Sequence, residues 1–236
     1  MLEEILEEIS KNMVFVKGGT LMMGRTPEQG INVFPGERNY DDFVHWDRHT
    51  KPVHKVTVSD FYISKYPVTQ KQWREVMKHK AQYVRTCDNC PVQYADCYKI
   101  EKFLAKINRK TGLKYRLPTE AEWEFAARGG LKTKGYRYAG SNNLHEVAWY
   151  SGNSGYKTHP VGQKKPNELG LYDMTGNVDE WCEDIIGYSE YDGTPIRAYR
   201  GGDYCSPIIN CRIASRSMCK SSNGNICNGF RLVLTK

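Results

Sequence analysis

No apolar run in this chain approaches the roughly 20 residues that a membrane-crossing helix needs. The first twelve residues are acidic and hold no apolar core of a signal peptide. The expected location is therefore the cytosol, or the bacterial cell surface where a leader has been removed. A dense block of Lys and Arg is also missing. The 34 basic and 27 acidic side chains are interspersed, so the net charge of +7 draws no footprint for nucleic acid. There is no G-x-S-x-G elbow, no P-loop and no H-E-x-x-H, and spacing alone pairs no nucleophile with a base. Cys87-Asp-Asn-Cys90 is a lone C-x-x-C, with no second pair to complete a tetrahedral zinc site. It favours a local disulfide or free thiols. The pairing of the eight cysteines stays open.

What is present is aromatic and irregular. Sixteen Tyr, five Trp and 21 Gly are the stock of adaptable binding surfaces as well as of cores. Met13–Val16 reads as a strand, and Thr20 to Thr50 as loop, with His45 and His49 solvated within it. His54–Val58 alternates, and Phe61–Ile63 continues as strand. Three helices are expected near 69–79, 97–109 and 119–129. Thr69-Gln-Lys-Gln72 and Thr119-Glu-Ala-Glu122 are capping boxes, and Ile100, Phe103, Leu104 and Ile107 share one helical face ahead of Gly112. Past Gly130 only loops held by a few short strands are expected. One α+β domain over residues 13–236, with residues 1–12 as an N-terminal extension, accounts for this asymmetry.

The segment 200–233 has fixed-looking ends and an irregular middle. Arg200-Gly-Gly202 opens it, with backbone freedom at the glycines. Gly229-Phe-Arg-Leu-Val233 closes it as a buried strand, anchored by Phe230, Leu232 and Leu234. Arg212 and Arg216 are placed to fasten the loop through main-chain carbonyls. Between these lie Asp203, Tyr204, Ser206, Ile208, Ile209, Asn210, Ile213, Ser215, Ser217, Met218, Lys220 and Ser221. They are expected to face solvent as a ligand site on a rigid frame. Core packing of Ile208, Ile209 and Ile213 is the competing reading.

Taken together, Met13–Gly24, Phe61–Thr69, Arg116–Gly130, Gly170–Trp181 and the Arg200-Gly-Gly to Gly229-Phe-Arg bracket resemble the sulfatase-modifying-factor family, which contains the formylglycine-generating oxidase. The resemblance covers nearly the whole chain. It implies a C-type-lectin-like fold of the formylglycine-generating-enzyme type, and three functions compete on it. The first is a non-catalytic protein whose C-terminal segment is diversified by a retroelement, binding a protein or other macromolecular ligand as a monomer. The second is a copper-dependent oxidase acting on a sulfatase cysteine. In the enzymes four residues separate the cysteine pair, whereas five separate Cys205 and Cys211. A non-catalytic accessory member is the third. The resemblance also implies a structural calcium, held by Asp173 and Glu180 carboxylates and the carbonyls of Gly176 and Val178. Oxygen atoms crowded on a turn suit a hard cation. A hydrogen-bonded turn without metal is the alternative there.

Overall fold

A computed structural model describes residues 2–26, 50, 52–79 and 86–235 of the chain. His45 and His49 lie outside those residues. Leu2, Ile5, Leu6 and Ile9 recur at helical spacing, and Leu2–Lys11 forms helix α1. Ile5 and Ile9 are buried in the same cluster as Trp73, Phe103 and Phe230. Leu2–Lys11 is thus a docked helix that contributes Ile5 and Ile9 to the core, within the stretch expected as an N-terminal extension.

Two four-stranded sheets carry the rest. In the first, β1 (Met13–Val16), β4 (Phe61–Ser64), β10 (Val233–Thr235) and β5 (Tyr115–Arg116) lie side by side in that order, all antiparallel. The last strand slots between β4 and β5, with Val233 opposite Ile63 on one side and Arg116 on the other. In the second, the order is β8 (Arg216–Lys220), β7 (Pro195–Arg200), β6 (Asp179–Tyr188) and β9 (Asn228–Gly229). The β6–β9 pair is parallel and the others are antiparallel. A separate hairpin pairs β2 (Gly19–Met23) with β3 (His54–Val58). That hairpin corrects the loop expected from Thr20 onward. Its alternating exposure is masked in sequence by the glycines before it and the turn-rich stretch behind it.

The three expected helices are α2 (Gln70–Met77), α3 (Cys97–Thr111) and α4 (Glu120–Ala127). Both capping boxes are made: Thr69 and Thr119 accept from the amides of Gln72 and Glu122, whose side chains reach back to the cap amides. Gly112 ends α3 at φ +71°, a conformation costly for other residues. Among the described residues beyond α4, the helical elements are a 3-10 turn at Gly130–Lys132, the four-residue α5 (Leu144–Val147) and a second 3-10 turn at Ile208–Cys211. The ten-residue β6 is longer than the short strands expected there. Register shifts between Trp181 and Gly187 break its alternation, which hides it from a period-two reading.

Rings of Trp73, Phe103 and Phe230 form one core, Phe103 and Phe230 meeting edge-on at 5.4 Å. A second core gathers Phe61, Ile63, Trp123, Phe125, Ala198, Ile213 and Val233. Helix α4 packs against the β2–β3 hairpin and against β6 and β7, and its three glutamates, Glu120, Glu122 and Glu124, are buried with its apolar residues.

Candidate functional site

Buried carboxylates are costly unless they are paired. Each glutamate of α4 therefore has a cation, and two of them hold the C-terminal segment. Arg200, at the end of β7, donates to Glu120 Oε1 at 3.1 Å and to Glu124 Oε2, and also to the carbonyl of Ile213 at 3.2 Å. Arg216, at the start of β8, grips both oxygens of Glu120 at 2.6 and 2.7 Å. Arg128 completes Glu124 at 2.7 Å, and Gly24 N–H donates to the same oxygen. At the far end Arg231 lies fully buried across Glu180, donates to the carbonyls of Ser64 and Tyr172, and shares Glu180 with the Trp123 indole. The segment is thus pinned at 200, 216 and 231. The clamps work mainly through carboxylates rather than through the carbonyls expected, and Arg212 is buried.

Gly201 and Gly202 turn the chain out of β7 at φ +102° and +71°. A side chain at 202 would sit 2.9 Å from the Asn210 carbonyl, so the turn needs glycine twice over. The expected contact residues then divide. Asp203, Tyr204, Ser206, Ile213 and Ser221 are buried, which corrects the wholly solvent-facing reading for these five. Ile213 belongs to the second core, Tyr204 is 3% exposed, and Asp203 and Ser206 bond each other across the turn. Ile208, Ile209, Asn210, Ser215, Ser217, Met218 and Lys220 are half-exposed along the 3-10 turn and β8, the outer strand of its sheet. The Ser215 hydroxyl donates to the Ile209 carbonyl at 2.7 Å, and Lys220 pairs with Asp192. A small cavity of about 30 Å³ opens beside Ile209, Asn210, Ser215 and Ser217. It shares Thr50, Ala214 and Arg216 with a cavity of about 370 Å³ floored by Glu120, Glu124, Asp184 and Arg200. Another, of about 540 Å³ beside β2, touches none of the expected contact residues.

A family model for the sulfatase-modifying factor enzyme 1-like domain matches residues 4–236. The chain belongs to that family. Among relatives, chaperone protein LppX of Paenibacillus barcinonensis is 34% identical over 77% of this chain and 82% of its own. Serine/threonine-protein kinase pkn1 of Chlamydia caviae is 29% identical over 98% of this chain, which spans only 40% of that protein. Among solved structures, Treponema denticola variable protein 1 superposes with a TM-score of 0.75 at 26% identity, covering 95% of both chains. The fold of this family member is accordingly the α+β, C-type-lectin-like fold of the formylglycine-generating-enzyme type.

The metals that the family resemblance implied do not suit these residues. Both oxygens of Glu180 are taken by Arg231, and a calcium ion there would face the guanidinium. Asp173 accepts from Gly162 N–H at 2.8 Å and from the Asn177 amide, and burial pushes its carboxyl up to about 6. The Gly176 carbonyl accepts from Val178 N–H. The two carboxylates named for calcium, Asp173 and Glu180, are thus both met by hydrogen-bond donors of the protein. The sulfurs named for copper differ as sharply. Cys205 is exposed, whereas Cys211 is fully buried among Tyr138, Leu144, Val147 and Tyr150 and its thiol is held far above its ordinary value by that burial. A copper ion bridging them would need the Cys211 thiolate in an apolar pocket. Cys87 and Cys90 are joined in a local disulfide.

Proposed function

We propose that this family member is a non-catalytic binding protein whose C-terminal segment varies in side chains while its backbone stays fixed. Diversification of that segment by a retroelement is the source of variation, and a protein or other macromolecule is the ligand. The observation that carries the reading is the separation of duties along 200–233. Buried guanidinium–carboxylate clamps and core residues hold the backbone, and Ile208, Ile209, Asn210, Ser217, Met218 and Lys220 lie half-exposed along it, Ile208 with part of its side chain against the cluster of Tyr138, Leu144 and Cys211. The full-length likeness to a variable protein supports it. Ile208, Ile209 and Met218 supply apolar contact area, and Asn210, Ser217 and Lys220 supply polar selectivity.

A library randomised at those six positions and displayed on yeast tests the reading. Most members are expected to resist protease like the parent, and selection is expected to yield binders to unrelated proteins. General loss of protease resistance would overturn it. The retroelement has its own test. A reverse-transcriptase gene and an adenine-rich near-copy of codons 203–228 are expected beside the gene, and their absence would remove diversification from the proposal. The burial of Cys211 speaks against the oxidase reading. Copper-loaded protein is expected to leave a Cys-x-Pro-x-Arg peptide unchanged in mass, and formation of the aldehyde would reinstate that reading.

A further inference from the structure

Residues from near the two ends of the segment come together in space. An oxygen of Asp203 and the sulfurs of Cys205 and Cys227 all lie within 4.8 Å of one another, although 205 and 227 are far apart in sequence. We propose that these three side chains form a binding site for one thiophilic divalent ion of the zinc class. Two thiolates and a carboxylate are a donor set that zinc accepts, whereas calcium and magnesium want oxygen alone. Ligand atoms around tetrahedral zinc stand about 3.7 Å apart, given Zn–S bonds of about 2.3 Å. The cluster therefore needs to contract by no more than about one ångström, within the reach of side-chain rotation.

The carboxylate is already oriented. Cys205 N–H donates to its Oδ1 at 2.5 Å and the Ser206 hydroxyl to its Oδ2 at 3.1 Å, the kind of support that fixes metal-binding carboxylates. Asp203 is buried, Cys227 half-buried and Cys205 exposed, so three ligands come from the protein and the fourth position opens to solvent. Without an ion the Cys227 thiol and the buried Asp179 carboxyl donate to Asp203 and the Tyr204 hydroxyl faces both sulfurs, and desolvation together with the Asp203 charge raises both thiols above their ordinary value. The ion takes the place of those protons. Two protons leave as it binds, one from each sulfur, and affinity rises with pH. Once bound, it ties the turn after Gly202 to the turn before β9 and closes the frame behind residues 208–220.

The test uses cobalt(II) as a probe on the full chain, handled without oxygen. One equivalent is expected to give a sulfur-to-cobalt charge-transfer band and the visible bands of a tetrahedral site, with two protons released. Cys205→Ser, at an exposed position, and Cys227→Ser are each expected to lose most of the band, whereas Cys87→Ser keeps it. One equivalent of zinc is expected to raise the Tm of the parent by several degrees and to leave Cys205→Ser unmoved. Retention of the band in Cys205→Ser, or its loss in Cys87→Ser, would overturn the site. So would peptide mapping that finds Cys205 and Cys227 joined as a disulfide in the protein as isolated. Should Cys227→Ser fail to fold, the Cys205→Ser comparison decides alone.

Discussion

Asp173 shows how one residue sets a pH dependence. Its backbone is left-handed at φ +54°, and its carboxyl is buried against Gly162 N–H and Asn177. Those donors favour the charged form, but burial outweighs them and raises the group from 3.8 to about 6. Between these values the folded protein binds more protons than the unfolded chain. The contribution to stability is therefore complete below pH 3.8 and is lost as pH rises through 6. A gap of about two units corresponds to roughly 3 kcal/mol. Urea midpoints measured from pH 4 to 7 for the parent and for Asp173→Asn are expected to converge in slope above pH 6. Below it, only the parent gains stability as pH falls. Parallel curves would show that burial does not hold this carboxyl neutral. Glu180, seven residues on, makes a second forecast. With both oxygens committed to Arg231, calcium added to chelator-treated protein is expected to leave the Tm unchanged, and a rise of several degrees would restore the calcium site.

Helix α4 is the element on which the molecule depends, and its two kinds of interaction predict two sizes of effect. Removing the cap with Thr119→Ala costs about 1 kcal/mol. For a chain of this length that is a fall in Tm of about 2–4 °C. Glu124→Ala removes the carboxylate that Arg200 and Arg128 share, leaving Arg200 to Glu120 and the Ile213 carbonyl and Arg128 to the Gly24 carbonyl, and breaking such a buried pair costs about 3–5 kcal/mol. Thermal melts of the two variants are expected to rank in that order, and equal losses would mean that the ion pairs add nothing beyond the helix itself. The same helix shows what sequence reading reaches. Its capping box is legible because Thr119 and Glu122 are three residues apart and the chemistry is local. The clamp is not, because Arg200 and Arg216 come from positions 76 and 96 residues beyond their glutamates. Strand β6 was obscured for another reason: its bulges break the alternation that marks a strand. Leu2, Ile5, Leu6 and Ile9 did carry a readable helical period, which the acidic residues between them overshadowed.

At the scale of the whole molecule, the chain is a frame closed on itself, with β10 seated between β4 and β5 and the segment before it slung across α4. Such closure makes the backbone of 203–228 a product of distant contacts, so the boundary between frame and face could not be read from the segment alone. Tyr204 and Ile213 stand among the expected contact residues in sequence yet are 3% and 1% exposed. Ile208, Ile209 and Met218, with the same apolar character, remain half-exposed. The forecast follows from that division. Exposed positions typically change stability by no more than about 0.5 kcal/mol each, whereas truncating a buried isoleucine costs about 2–5 kcal/mol. Replacing Ile209, Ser217 and Met218 together with Asn is expected to move the Tm by only a few degrees. Ile213→Ala alone is expected to lower it by more than the triple change does, and Tyr204→Ala to behave like Ile213→Ala. Should the triple variant unfold as readily as Ile213→Ala, the half-exposed residues belong to the frame, and no face of this segment is free to vary.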